Sequence, residues 1–189
     1  MYDLRQPLWM HIGRRHVSLI DLKPGDRLLD VGSGTGNNLV RLFRHYRNSV
    51  ELYGIEPSED MNAQAEARLG GNDNVHLRIG IAEKISYEDN YFDWVVSSLV
   101  AHHLPLAAKE EMFGEMYRVL KSGGKIVITD WGKPTNLLGK VIAFLERNHA
   151  YVQEHSRGVL LDLLKQTGFK NIHDNYVQFG VVHHFSAIK

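Results

Sequence analysis

Leu28-Leu29-Asp30-Val31-Gly32-Ser33-Gly34-Thr35-Gly36-Asn37-Asn38 joins an apolar run, an acid and three glycines at every second position. This is the pattern of a strand that turns tightly into a helix. Glycine is needed where the backbone takes positive φ or where a side chain would collide with a ligand. The first amides of the following helix then present partial positive charge to that ligand. The stretch reads as a cradle for a nucleotide-like molecule, the plainer alternative being a tight turn and nothing more.

Working outward, Leu28–Val31 is a short strand and Asn37–Tyr46 an amphipathic helix with Leu39, Val40, Leu42, Phe43 and Tyr46 inward. Before them, apolar residues between positions 7 and 20 form a helical stripe that stops at Lys23-Pro24-Gly25-Asp26. After them, strands are expected over Val50–Ile55, Val75–Ile79, Phe92–Ser97 and Lys125–Asp130. Helices are expected from Pro57-Ser58 and over Ala107–Lys121. Strand and helix alternate, which predicts a parallel sheet. Ser122-Gly123-Gly124 reads as the turn between the last helix and strand of that series. Beyond it the alternation breaks: a helix from Val159 closes at Gly168, then two strands, Phe169–Val177 and Val181–Ile188, follow with little between them. Strands joined so closely run antiparallel.

The chain has 189 residues, near the size of one domain, and 22 basic residues balance 22 acidic ones. No net field favours nucleic acid or an acidic membrane. Cysteine is absent, which removes disulfides, thiolate metal sites and any cysteine nucleophile. Neither a signal-peptide core nor an apolar run of the roughly 20 residues of a membrane span is present, and a cytoplasmic location is expected.

Gly32, Gly34 and Gly36 give GxGxG, whereas the dinucleotide fingerprint places its third glycine one position later, where this chain has Asn37. Glu56 ends the second strand, where a carboxylate can accept from a ribose diol, although an acid is also favoured there by a helix N-terminus alone.

Leu29-Asp30-Val31-Gly32-Ser33-Gly34-Thr35-Gly36 resembles the glycine motif of the class I S-adenosylmethionine-dependent methyltransferases, particularly the group with the ubiquinone and menaquinone biosynthesis enzymes. Three further blocks stand in the family's order: Gly54-Ile55-Glu56-Pro57-Ser58, Tyr91–Ser98 running on to His102-His103-Leu104, and Arg118–Lys125. The resemblance implies a Rossmann-like α/β fold: a seven-stranded, mostly parallel sheet with an antiparallel last strand and helices on both faces. It implies one domain over residues 1–189, with an N-terminal cap helix within 1–22 and a substrate-covering insertion at 134–154. S-adenosyl-L-methionine is the implied cofactor. Asp30, Gly32, Ser33, Gly34 and Gly36 would hold its methionine part, Glu56 the ribose hydroxyls and Pro57 the adenine. The backbone at Ser97 and Ser98 would lie next to the donated methyl. One departure stands out: Gly80-Ile81-Ala82-Glu83 lacks the aspartate that usually meets the adenine amine. Glu83 or water takes its place, and Ala82 offers its amide.

Methyl transfer from a sulfonium is an in-line displacement, so the protein must align a nucleophile and exclude water, and a base helps where the nucleophile loses a proton. His102 and His103, after the fourth strand, are the candidates among 11 histidines. His149, His155, His183 and His184 come from segments that could converge over the same opening, though without the HExxH spacing of a metal site. Leu137, Leu138, Val141, Ile142 and Leu145 form an apolar helical face, read first as core packing and second as part of a lid. In the lid reading, Phe144 and Tyr151 meet an apolar or aromatic acceptor together with Tyr2 and Trp9.

The expected activity is methylation of O, N or C on a small molecule, by a monomer or homodimer without a nucleic-acid partner. A cofactor-binding subunit without catalysis and a nicotinamide-dependent oxidoreductase are the rival readings.

Overall fold

The computed structural model describes residues 6–145 and 157–189, with side chains described from His11 onward. A leading helix, α1 (Gln6–Ser18), precedes β1 (Arg27–Val31), α2 (Asn37–Tyr46), β2 (Glu51–Glu56), α3 (Glu59–Leu69) and β3 (Val75–Ile79). Then come β4 (Phe92–Ser98), α4 (Leu106–Val119), β5 (Leu120–Trp131), α5 (Leu137–Leu145), α6 (Val159–Thr167), β6 (Lys170–Gln178) and β7 (Val182–Ile188). Local chemistry sets several boundaries. Ser58 caps α3 by accepting from the Met61 amide, with Glu59 and Asp60 in the first turn where the helix dipole favours acids. Gly168 ends α6 at φ 103°, and its amide reaches the Leu164 and Lys165 carbonyls.

The strands form one sheet in the order β3-β2-β1-β4-β5-β7-β6. β1 to β5 run parallel, and β7 lies antiparallel between β5 and β6. Alternation along each strand divides the core. Leu28, Leu52, Trp94, Val96 and Val127 pack with α2, α3 and the segment after α1. Leu29, Val31, Val95, Ile126 and Ile128 pack on the other face with Met112, Phe113 and Met116 of α4 and Leu160, Leu163 and Leu164 of α6. This is a doubly covered, Rossmann-like sheet with its last strand reversed.

Two local expectations are corrected. Ser122-Gly123-Gly124 is a bulge inside β5, not a turn before it: Phe92 pairs with Leu120 and Trp94 with Lys125. Lys189 stands against this bulge: the Gly123 amide donates to the Lys189 carbonyl and the Lys189 amide to that of Gly124. The apolar stripe of α5 is also not core. Gly139, Ile142 and Ala143 face inward, while Leu137, Leu138, Val141 and Leu145 are exposed. Only a small residue can sit where Gly139 does, since a Cβ there would collide with the Gly180 carbonyl. No helix among the described residues is long and apolar enough to cross a membrane.

Candidate active site

After β1 the chain proceeds to β2 on one side, and after β4 to β5 on the other. The carboxyl ends of β1 and β4 therefore flank a topological switch point, where open α/β sheets present a crevice. The glycine turn sits there. The amides of Gly32 and Ser33 both donate to the Ile55 carbonyl, at 2.9 and 3.0 Å. Gly32 has φ 72°, and a Cβ on it would collide with Val100 beyond β4. Gly34 has φ 56°, and a Cβ on it would meet nothing within 4 Å, so open space lies over this residue. α2 begins without a side-chain cap, leaving its first amides for water or a ligand.

Two acids frame the turn. Glu56, buried at the end of β2, accepts from the Gly34 amide through Oε2 at 2.9 Å and from the Ser58 amide through Oε1 at 3.0 Å. It ties the glycine turn to the start of α3 and keeps further lone pairs, since each carboxylate oxygen has two. Asp30 is 1% exposed, and neither of its oxygens has a partner in hydrogen-bonding geometry. Burial pushes its pKa up to about 7; the neighbouring Asn38 side chain opposes this, and the charge of Glu56 adds to it.

The end of β4 completes the crevice. Ser97 is buried, its hydroxyl donating to the Val31 carbonyl at 2.8 Å, and Ser98 is half-buried. Leu99 follows at φ 61°, a left-handed conformation that costs a bulky residue about 1–3 kcal/mol and is held by its amide donating to Thr129. Beyond β2 and β3, Pro57 is exposed, Ala82 buried and Glu83 half-buried.

His102 lies in the short 3-10 turn Ala101–His103 just after Val100. Its Nδ1 is 2.7 Å from Oδ1 of Asp130, and its amide donates to Asp130 Oδ2 at 3.3 Å. Asp130 is 1% exposed near the end of β5, alternating onto the same face as Ile126 and Ile128, and also accepts from the Trp131 amide. The ring of His103 lies 3.9 Å from that of His102, centroid to centroid. Asp130 is the residue that sequence reasoning missed. Its only signal is an acid at a strand end, and a separation of 28 positions from His102 hides the pairing.

His183 and His184 do not converge on one opening. His183 is bonded to Asp174 and to the Lys133 carbonyl, and His184 to Thr129 and Gln178. Adjacent residues on a strand point to opposite faces, which separates the two rings. His16 of α1, fully buried, bonds Thr129 from the other side at 2.9 Å. Phe144 lies on the outward side of α5. Tyr2, His149, Tyr151 and His155, and the side chain of Trp9, fall outside the described residues. Among those described, no group of histidines and acids is arranged to hold a metal.

The profile of the methyltransferase domain family matches residues 29–128, more than half of the chain. The chain belongs to that family, and it is a class I S-adenosylmethionine-dependent methyltransferase. Phosphoethanolamine N-methyltransferase 2 of Caenorhabditis elegans is 31% identical over 154 residues, 80% of this chain but 34% of that protein. The chain thus spans about a third of that relative's length. Demethylmenaquinone methyltransferase of Bacillus mycoides is 27% identical over 196 residues, covering 92% of this chain and 82% of the relative. Among solved structures, Haemonchus contortus phosphoethanolamine N-methyltransferase 2 in complex with S-adenosyl-L-methionine superposes with a TM-score of 0.72 at 19% identity. That match covers 96% of this chain and 52% of the other. An S-adenosylmethionine-dependent methyltransferase from Aquifex aeolicus gives 0.70 at 23% identity, covering 93% and 88%. At these identities the two structures speak for the fold alone.

The residues fit the cofactor. An open space over Gly34, uncapped helix amides and a buried carboxyl with no partner are what a ligand bearing both a carboxylate and cationic groups would use.

Proposed function

We propose that the chain moves a methyl group from S-adenosylmethionine to an oxygen, nitrogen or carbon of a small apolar or aromatic molecule, with His102 as the proton acceptor. The cofactor supplies an electrophilic methyl carbon and its own leaving group. The observation that carries this reading is the contact between His102 and Asp130 at the ends of β4 and β5, beside the glycine turn. The acceptor atom bonds to the methyl carbon as the carbon–sulfur bond breaks, and the electron pair leaves with sulfur. The acceptor's proton passes to His102 Nε2, because Nδ1 is committed to Asp130. Asp130 holds the ring in place through Nδ1 and through the His102 amide.

Asp30, Gly32, Ser33, Gly34 and Gly36 would hold the methionine part, and Glu56 the ribose through the lone pairs its backbone donors leave over. Pro57 would lie along the adenine, the Ala82 amide and Glu83 at its edge, and the backbone of Ser97 and Ser98 near the methyl. Segments 1–22 and 134–154 would cover the acceptor.

The test follows formation of S-adenosylhomocysteine across a panel of phenols, quinols and amines. The wild-type protein turns over at least one acceptor, and His102→Gln lowers kcat by roughly 10²–10⁴. Calorimetry finds S-adenosylhomocysteine binding unchanged in the variant. Equal turnover by His102→Gln would remove the base from the mechanism.

A further inference from the structure

α5 departs from the usual helix pattern: Gly139, Ile142 and Ala143 point in, while most of its large apolar residues point out. Leu137 is 78% exposed, Leu138 55%, Val141 48% and Leu145 67%. A helix apolar on all sides is ordinarily covered. Contiguous exposed apolar area of this kind marks a binding surface.

The segments that build this face carry basic residues and no acid, although the whole chain is balanced; the acids that border them are Asp174, bonded to His183 beside Lys133, and Glu146, which follows Leu145 in the chain. No acidic residue occurs between Asp3 and Asp21, or between Asp130 and Glu146, and these segments supply α1 and α5. The two helices are neighbours, because Ile12 of α1 packs in one cluster with Ile142 and Ala143. Among the described residues, the exposed charged side chains on these segments are Arg14 and Arg15 of α1, Lys133 ahead of α5 and Lys140 on it. Arg15 lies over the ring of Tyr176 on β6. On its other side α1 meets α2, and there Arg41 is held below the usual arginine range by burial and by Arg14, Arg68 and Arg44. Leu99 and Trp131, which close the ends of β4 and β5, belong to the cluster beneath α5. α5 therefore packs by its inward side over the ends of these strands.

We infer that α5 and α1 form a docking face for the surface of an anionic phospholipid bilayer, with the outer apolar residues of α5 entering the interface and the arginines and lysines meeting lipid phosphates. Charge complementarity selects this occupant. A polyanion without an apolar layer would leave the α5 face wet, and a second copy of this chain would bring the same positive rim against itself. The inference is independent of the acceptor's identity.

The test uses the full chain and vesicles of phosphatidylglycerol and phosphatidylcholine in equal parts, against phosphatidylcholine alone, scored by co-sedimentation. Binding to the anionic vesicles is expected, weakening as salt rises. Leu138→Asp with Val141→Asp, and separately Lys133→Glu with Lys140→Glu, should each weaken it by about tenfold or more. Unfolding midpoints and S-adenosylhomocysteine affinity, unchanged in the variants, exclude misfolding. The inference is overturned if the anionic vesicles do not retain the wild-type chain, or if either pair of substitutions leaves binding intact. A dimer that Leu138→Asp dissolves, without vesicle binding, would assign the face to a second copy. Equal retention by DNA, insensitive to the α5 substitutions, would reduce it to a generic polyanion site.

Discussion

Gly32 concentrates the constraints on the glycine turn. It has φ 72°, and a Cβ would collide with Val100, two residues before His102. Gly32→Ala therefore strains the backbone and pushes the β4 end away from β1. We expect a loss of about 1–3 kcal/mol in stability and a clear weakening of S-adenosylhomocysteine binding, measured by chemical denaturation and calorimetry. Gly34→Ala separates the two effects, since its Cβ meets nothing within 4 Å and only the backbone cost remains in the free protein. Asp130 shows the other side of residue-scale reasoning. His102 could be singled out as a candidate because a histidine after the fourth strand has an obvious use near neutral pH. Asp130 was not, because its role depends on β4 and β5 being neighbours in register.

At the scale of elements, α1 is fixed to the sheet through a buried chain in which Thr129 of β5 links His16 to His184 of β7. Burial, with a smaller contribution from the nearby His184, lowers the His16 pKa from 6.5 to about 3. A histidine kept neutral in the native state binds more protons once unfolded, so its contribution to stability is intact above about pH 6.5 and is lost as pH falls towards 3. The slope for this one group approaches 1.4 kcal/mol per pH unit. Asp30 acts oppositely: raised from 3.8 to about 7 chiefly by burial, it binds more protons when folded, and stability falls as pH rises from about 4 to 7. The two slopes offset each other over much of this window. Urea unfolding of the cofactor-free protein at several pH values should show His16→Gln losing stability towards neutral pH relative to wild type, and Asp30→Asn losing it towards acid. Parallel profiles for wild type and both variants would refute the assignment. The apolar stripe of α5 was legible as a pattern, but its direction was not. Periodicity shows that a face exists, and the close approach of Gly139 to Gly180 decides which side turns inward.

For the whole molecule, ligand linkage offers the simplest check. S-adenosylhomocysteine at a hundred times its dissociation constant should stabilise the chain by about 2.7 kcal/mol, raising the midpoint of thermal unfolding by roughly 5–10 °C. NAD at the same concentration should produce no shift, which separates the methyltransferase from the oxidoreductase reading. A shift with NAD equal to that with S-adenosylhomocysteine would contradict the assignment of the crevice. Whole-chain charge was a poor guide at this scale, because 22 bases and 22 acids cancel in the sum while α1 and α5 carry no acid at all.

The order of strands and helices, the glycine turn and the reversal of the final strand were all determined by the sequence, since each depends on local periodicity, turn chemistry or the length of a connection. The pairing of His102 with Asp130, the separation of His183 from His184, the bulge at Ser122–Gly124 and the outward face of α5 were decided only by tertiary structure. These features arise where residues distant in the chain meet across the sheet or compete for one packing position, and a linear pattern does not encode which neighbour will be there. The glycine turn thus announced the methyl donor, while the residues that would act on the acceptor came together only when β4 and β5 were laid side by side.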